Sequence, residues 1–221
     1  MKTKLLPAAL ASLLLVAAPS LALAQTRPAA AASSQQSAAS KTVLDASSRI
    51  LTTLEQRRAE FRGNPAALRS FIDGELNKGF DREYAARLVL GVHGRGASDG
   101  DVKLFADAMA DNLMQRYGSA LLDIEGKPSF RLRGESPLPG NRGVKVSTEL
   151  VRAGNEPTPV EYLMRNVDGQ WKIFDVMIEG ISYVQTFKNQ FDTPLRQKSI
   201  AQVAAELRSG SMQAGQAPRG N

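Results

Sequence analysis

The sequence has no cysteine, a single histidine and few aromatic residues, which make up 6% of its 221 residues. A chain without cysteine has no disulfide framework, no thiolate metal ligand and no cysteine nucleophile. The lone histidine, His93, excludes a metal centre built from several histidines and allows only one Ser–His pairing. The composition alone therefore excludes several classes of metalloprotein and covalent enzyme.

The amino terminus has the features of a secretory signal peptide. Lys2 and Lys4 precede a short apolar stretch over residues 5–16, and the small residues of the segment 22–24 (Ala-Leu-Ala) predict a cleavage site. We therefore expect residues 1–24 to be removed and the mature protein to work in a bacterial periplasm.

The charge balance bears on the choice of partners. The 28 basic and 22 acidic residues give a net charge of +6, and removal of Lys2 and Lys4 leaves 26 against 22, or +4. The charges are well mixed, without an arginine-rich tract or interleaved aromatic and basic residues, so nucleic-acid binding is set aside. A mild basic excess on an exported protein is compatible with solubility or with contact to anionic lipid surfaces.

Composition also marks the ends of the folded part. Residues 25–41 consist mainly of Ala, Ser and Gln and predict a low-complexity linker, and residues 209–221 predict a disordered tail. Every aromatic residue falls between Phe61 and Phe191. We therefore predict one folded domain over residues 42–208.

The first half of this domain has helical periodicity. Four segments between residues 42 and 118 repeat apolar residues at a spacing of three or four. Residues that favour helix N-caps precede three of them, namely Asn64, Asp81 and Ser98. The pattern predicts four consecutive helices.

The second half changes to the period of a strand. Apolar and polar residues alternate in three segments between residues 130 and 165, which predicts half-buried strands. Asp168-Gly169 predicts a hairpin turn into the segment 171–178, which is apolar on both sides and is expected to be a central strand. Two amphipathic segments, 181–191 and 194–207, then close the domain. The order of elements predicts an α+β fold in which helices pack on a curved antiparallel sheet.

Three short motifs within the domain have a distinctive sequence. They are Ala86–Gly91 (ARLVLG), Trp171–Ser182 (WKIFDVMIEGIS) and Phe187–Phe191 (FKNQF), of which the second is the most specific. Over residues 42–208 the chain resembles the MlaC family, also called the toluene-tolerance family, whose members are periplasmic phospholipid carriers. The segment 196–200 is similar to an Arg-x-x-Gly-Ile turn of that family, with Ser in place of Gly.

The resemblance implies that the helices and the sheet enclose an apolar cavity for phospholipid acyl chains. It also implies handover of lipid between an outer-membrane lipoprotein complex and an inner-membrane ABC transporter complex. We expect a monomer that is not an enzyme and has no cofactor, with phospholipid as its cargo. The lipid-binding role is assigned to inward-facing positions of the helices and strands: Leu88, Leu90, Phe105, Met109, Leu113, Tyr117, Val146, Leu150, Tyr162, Met164, Phe174, Val176, Ile178, Ile181 and Val184.

The same apolar faces permit a second interpretation, in which they form a filled core. A soluble carrier must shield a sixteen-carbon chain from water, a burial worth about 12 kcal/mol at about 0.8 kcal/mol per CH₂. Flexible side chains such as Met109 and Met164 suit cargo of variable shape. Most apolar stripes nevertheless form ordinary core, so the residue pattern by itself leaves open an interaction protein or chaperone with a filled core.

Polar residues of the Trp171–Ser182 motif permit an enzymatic interpretation. Asp175 is a candidate base for a small-molecule enzyme with a cone-shaped apolar pocket, and Glu179 follows four residues later. The structural interpretation places Glu179 near a helix N-terminus and makes Ser182 an N-cap. Ser182 lacks the Gly-x-Ser-x-Gly elbow of a nucleophile that His93 would activate. We favour the structural role and keep the enzyme as the alternative.

Several basic residues are candidates for contact with head groups or partner proteins. The segment 91–96 (GVHGRG) joins two predicted helices, which is the wrong context for a phosphate-binding loop. Arg95 within it remains a candidate for contact with a lipid phosphate. Arg131, Arg133 and Lys145, on the wet side of predicted strands, are candidates for contact with partners.

Overall fold

The computed structural model describes residues 36–124 and 126–215. The predicted signal peptide (residues 1–24), residues 25–35 of the predicted linker and residues 216–221 of the predicted tail lie outside the described residues. In the part of the chain that is described, seven α-helices pack against a five-stranded antiparallel sheet that does not close on itself. The predicted α+β fold is confirmed.

The helices follow the predicted order, and local hydrogen bonds define their starts. Their bounds are α1 (Ala38–Gln56), α2 (Arg58–Gly63), α3 (Pro65–Gly79), α4 (Arg82–Leu90), α5 (Asp99–Tyr117), α6 (Tyr183–Gln197) and α7 (Ile200–Ser209). The predicted caps Asn64, Asp81 and Ser98 are confirmed. Each side chain accepts a hydrogen bond from the backbone N–H three residues further on.

The start of α1 differs from the prediction. The helix begins at Ala38, before the expected residue 42, because the Ser37 hydroxyl accepts the Ser40 N–H at 3.0 Å and so caps it. Ala39 is completely buried in this extra turn. The helix also ends at Gln56, and the short helix α2 follows Arg57, where the sequence predicted one continuous helix.

The boundary between α6 and α7 also differs from the prediction. The helix α6 continues through Pro194, where the sequence predicted a break, because Phe187, Phe191 and Leu195 extend one buried face past the proline. The start of α7 is set by Ser199 and Gln202. Each of these side chains accepts the backbone N–H of the other, which forms a reciprocal capping box.

The strands follow one another across the sheet in chain order. They are β1 (Ser129–Pro137), β2 (Val144–Val151), β3 (Thr158–Val167), β4 (Gln170–Ile178) and β5 (Ile181–Ser182). The predicted turn at Asp168 and Gly169 joins β3 to β4, and both residues have a positive φ, 51° and 84°. This conformation is typical of the tight turns that match the twist of a hairpin.

A β-bulge in β4 keeps one apolar face of the sheet continuous. The pairing of β3 with β4 skips Phe174, so Ile173 and Val176 both face the same hydrophobic cluster. In a regular strand, side chains three residues apart point to opposite faces. Phe174 is buried and packs edge-on against Tyr84 of α4, with ring centroids 5.2 Å apart.

Buried side chains gather in separate clusters. The helical cluster fills the space between α4, α5, α6 and α7, and its members include Val89, Leu90, Phe105, Phe191 and Leu207. The sheet cluster lies where α1 covers the sheet, and its members include Val43, Val146, Tyr162 and Met164. The helix α1 therefore occupies a sheet face that the sequence assigned to the cargo.

The packed part of the chain extends beyond residue 208. Gly210, with a φ of 76°, ends α7, and the chain then returns over α5. Ala214 is completely buried, and its N–H donates to Asn112 Oδ1 at 2.8 Å. The first residues of the predicted disordered tail, 209–215, are therefore part of the fold in this structure.

Candidate functional site

A cavity of about 560 Å³ lies between α3, α4, α5, α6 and the end of β4. Its size is within the range of about 300–1,000 Å³ that is typical of small-molecule sites. Most of its wall is aliphatic or aromatic. The apolar wall residues are Ile72, Leu76, Phe80, Ala85, Val89, Ala106, Met109, Ala110, Leu113, Met114, Leu121, Val176, Ile178, Val184 and Phe187.

The helix α5 borders the cavity along one of its faces. Ala106, Met109, Ala110, Leu113 and Tyr117 recur at spacings of three and four, so they share one face of the helix, and this face borders the cavity. From Ala106 to Tyr117 the helix rises about 16 Å. The cavity therefore has one long helical wall, and the small alanine side chains widen it.

The cavity reaches the surface beside Tyr117 and Tyr183, and we call this opening the mouth. Both residues line the cavity and are 39% and 42% exposed. The Tyr183 ring packs against Phe187 with centroids 6.0 Å apart, and the Tyr117 hydroxyl donates to the Gly215 carbonyl at 2.8 Å. The mouth is thus formed by the end of α5, the start of α6 and the C-terminal segment.

Charged groups occur at two places on the wall. Arg82 Nη2 donates to Asp73 Oδ1 at 2.8 Å, and Arg82 Nε is buried without a hydrogen-bond partner in the described part of the chain. Asp175 is buried and accepts hydrogen bonds on both oxygens, from the Ser182 hydroxyl at 2.6 Å and the Val184 N–H at 3.0 Å. Each wall carboxylate is therefore already engaged within the protein.

The structure brings some of the predicted lipid-binding residues together at the cavity. Six of them line it: Met109, Leu113, Tyr117, Val176, Ile178 and Val184. They come from α5, β4 and α6, which are distant in sequence. An apolar wall contributed by separate elements agrees with the arrangement expected of a cavity, and their contact with lipid stays a prediction.

The other predicted positions lie away from the cavity wall. Leu90 and Phe105 belong to the helical cluster, and Leu88 is half-buried elsewhere on α4. Phe174 packs against Tyr84, and Ile181 is 62% exposed on β5. The remaining positions belong to the sheet cluster or pack against it, under α1: Val146, Leu150, Tyr162 and Met164.

Several wall residues were not among the predicted sites. Ile72 and Leu76 of α3 and Phe80, directly after its end, follow one another at a spacing of four, and this spacing is visible in the sequence. The sequence does not show that these residues face the α5 side chains, because that depends on how the two helices pack. Ala106 and Ala110 were missed because small residues do not stand out in an apolar pattern.

The other residues considered for catalysis have partners or positions of a structural kind. His93 Nε2 lies 2.9 Å from Asp192 Oδ1, and this hydrogen bond, with help from Arg196, holds the pKa of Asp192 below its ordinary value. Ser182 caps α6 by accepting the Gln185 N–H at 3.0 Å, as predicted. Glu179 is exposed in the turn between β4 and β5, with a φ of 52°.

The basic candidates lie outside the cavity wall. Arg95 is exposed in the loop after α4. Arg131 and Arg133 both pair with Glu149, at 2.6 and 3.3 Å, and Lys145 pairs with Glu161 at 2.7 Å. These pairs lie across neighbouring strands, so the three cations are part of the charge network of the sheet.

Two further properties concern metals and membranes. Across residues 36–124 and 126–215 there is no cluster of three or more acidic or histidine side chains able to hold a metal ion. Over the same residues, no helix is both long and apolar enough to cross a bilayer.

Sequence comparison places this chain among a defined group of proteins. The family model described as MlaC protein matches residues 44–209. The toluene tolerance protein ttg2D of Pseudomonas putida is 25% identical over 152 residues, which cover 67% of this chain and 69% of that protein. The intermembrane phospholipid transport system binding protein MlaC of Haemophilus influenzae is 23% identical over 148 residues, 65% of this chain and 69% of that protein.

A solved structure shares the fold. It is a phospholipid-binding protein from Ralstonia solanacearum in complex with a phospholipid, with a TM-score of 0.68 and 20% sequence identity. The match covers 78% of this chain and 97% of that one. The arrangement of helices on an open sheet is therefore common to both chains.

Proposed function

The chain belongs to the MlaC family, and on this premise we propose that it is a periplasmic phospholipid carrier. Acyl chains occupy the cavity between α3, α4, α5, α6 and β4, with the head group near solvent. The observation that carries the proposal is the cavity itself, a space of about 560 Å³ whose wall is mostly aliphatic and aromatic. An interaction protein or chaperone with a filled core is not expected to contain such a space.

The physical chemistry of the wall supports a lipid cargo. Burial of a sixteen-carbon chain is worth about 12 kcal/mol, provided that no polar group of the wall loses its partners when the chain enters. Asp73 and Asp175 keep their partners within the protein. The flexible side chains of Met109 and Met114 also allow the wall to adapt to chains of different shape.

The proposed route of the cargo is between the two membranes. Export by the signal peptide at residues 1–24 would bring the chain into the periplasm. We propose that it exchanges lipid with an outer-membrane lipoprotein complex and an inner-membrane ABC transporter complex, and that it does so as a monomer. The printed name of the Haemophilus influenzae relative, an intermembrane phospholipid transport system binding protein, supports this route.

We propose that the protein is not an enzyme and needs no cofactor. Asp175, the candidate base of the enzymatic interpretation, is occupied on both oxygens by groups that fix the start of α6. A general base needs a free oxygen aimed at its substrate. Any hydrolysis of ATP that drives transport would take place in the inner-membrane partner.

Mass spectrometry of extracted lipid tests the proposed function. The mature protein is purified, extracted with organic solvent, and the extract is quantified against protein. We expect phospholipid in near-stoichiometric amount, or stoichiometric uptake after incubation of the protein with phospholipid vesicles. A protein that is isolated without lipid and also takes up none from vesicles would overturn the proposal.

A further inference from the structure

The C-terminal segment Met212–Gly215, which we call the strap, lies at the mouth of the cavity. Gly215 is one of the wall residues. A methyl group on its Cα would lie 3.2 Å from Tyr117 Cε2 and 3.5 Å from Leu113 Cδ2, so the backbone packs closely against the wall of α5. The strap lies beyond residues 44–209, which match the family model.

Hydrogen bonds join the outer end of the strap to both helices of the mouth. From α5, the Tyr117 hydroxyl donates to the Gly215 carbonyl at 2.8 Å. From α6, Gln190 Oε1 accepts the Gly215 N–H at 3.1 Å, and Gln190 Nε2 donates to the Gln213 carbonyl. The strap therefore bridges the two helices whose ends border the opening.

The inner end of the strap is held differently. Asn112 is buried on α5, and its amide donates to the carbonyls of Leu207 and Met212 at 2.7 and 3.0 Å and accepts the Ala214 N–H at 2.8 Å. A hydrogen bond between buried groups costs more to break than one near the surface, where water can replace the lost partner. Gly215 can therefore detach while Met212 and Ala214 stay anchored to Asn112.

We propose that the strap gates the lipid cavity and controls the rate of phospholipid exchange. In the closed position Tyr117 and Gln190 hold Gly215 across part of the mouth, which retains the acyl chains. Loss of these hydrogen bonds releases Gly215 from both helices and widens the path between α5 and α6, while Ala214 stays in place. This inference rests on the proposed function, since it concerns the exit of the same cargo.

Transfer kinetics test the gate in the full-length mature protein. The protein is loaded with pyrene-labelled phosphatidylcholine and mixed with unlabelled phosphatidylcholine vesicles, and transfer is followed by fluorescence. Tyr117→Phe and Gln190→Ala each remove strap hydrogen bonds without removing the strap. Tyr117→Phe removes one hydrogen bond and is expected to raise the transfer rate by about threefold to tenfold, the factor that corresponds to one ordinary hydrogen bond. Gln190→Ala removes two and is expected to raise it at least as much. Gln197→Ala, an exposed glutamine at the end of the same helix, is the matched control.

Hydrogen exchange identifies the cause of a faster transfer. In Gln190→Ala the Gly215 amide should lose protection, while the Ala214 amide, held by Asn112, should keep it. Transfer by both strap variants at or below the wild-type rate would overturn the gate and leave the proposed function intact, provided that the wild type loads lipid. Failure of the wild type to load any phospholipid would instead overturn the proposed function, and the gate with it.

Discussion

The Ser182 hydroxyl donates a hydrogen bond to Asp175 Oδ2 at 2.6 Å and accepts one from the Gln185 N–H at 3.0 Å. The second oxygen of Asp175 accepts the Val184 N–H at 3.0 Å. The carboxylate therefore supports the N-terminus of α6 both directly and through Ser182. Since Val184 lines the cavity, this arrangement also fixes part of the cavity wall.

Replacement of Asp175 is expected to affect stability and not chemistry. Asp175→Ala leaves the Ser182 hydroxyl and the Val184 N–H without their acceptor, so the free energy of unfolding should fall by about 1–3 kcal/mol. Asp175→Asn keeps one acceptor oxygen and should lose less. Urea unfolding followed by the fluorescence of the single Trp171 measures both variants. An Asp175→Asn protein with unchanged stability that lost a measurable turnover would instead support the enzymatic interpretation.

Filling the cavity is expected to exclude lipid without unfolding the domain. Ala110 lies on the cavity face of α5, so Ala110→Phe places a ring in space that the acyl chains need. The bound phospholipid, measured by extraction and mass spectrometry, should fall by more than half. Because the ring fills a void, the free energy of unfolding of the lipid-free protein should not decrease.

The exposed Ala201 on α7 offers a matched control for this variant. Ala201→Phe adds the same ring at a position away from the cavity and should leave the bound phospholipid unchanged. Equal lipid content in Ala110→Phe and the wild type would contradict the placement of the cargo in this cavity.

The sequence predicts the local structure of the helices better than it predicts the residues that line the cavity. Asn64, Asp81 and Ser98 act on backbone groups three residues away, so their capping roles follow from short-range chemistry. The contact of α1 with Val146 and Met164 joins residues about a hundred positions apart. The periodicity of a strand does not show which helix will cover its apolar face. The sequence therefore assigns Val146 and Met164 to the cargo, although α1 covers them.

Two further features depend on long-range geometry in the same way. The bulge at Phe174 moves Val176 and Ile178 onto the face of Ile173, although strict alternation would place them opposite. The strap has a composition typical of disorder. It is ordered because the buried Asn112 donates a hydrogen bond to the Met212 carbonyl and accepts one from the Ala214 N–H. Neither feature has a local sequence signature.

The buried Glu75 is expected to make stability depend on pH. Hydrogen bonds from Arg49, at 2.8 Å, and from Lys78, at 3.1 Å, lower the pKa of Glu75 in spite of its burial. A carboxylate whose folded-state pKa is depressed stabilises the protein above its unfolded pKa. This contribution is lost as the pH falls through the folded-state value.

The variant Glu75→Gln should therefore lower the free energy of unfolding at pH 7 by about 1–3 kcal/mol. The difference from the wild type should shrink as the pH is lowered below about 4.5, the ordinary pKa of glutamate, and vanish below the folded-state pKa. Urea unfolding of both proteins over a series of pH values measures this difference in the free energy of unfolding. Glu60→Gln, which affects an exposed pair with Arg57, should change stability less. A Glu75→Gln effect that is the same at every pH would contradict this assignment.

The connection between β1 and β2 is expected to tolerate only glycine at residue 143. Gly143 has a φ of 137°, and a Cβ at this position would lie 1.9 Å from the Met164 carbonyl oxygen of the neighbouring strand. Gly143→Ala must therefore displace backbone in the middle of the sheet, and the free energy of unfolding should fall by about 3 kcal/mol or more. Gly169 is the matched control. It also has a positive φ, 84°, but a Cβ there would have no atom within 4 Å, so its replacement measures backbone strain without steric collision. Gly169→Ala should lose only about 1–2 kcal/mol from the left-handed conformation, and equal losses in the two variants would show that contact with Met164 is not the cause.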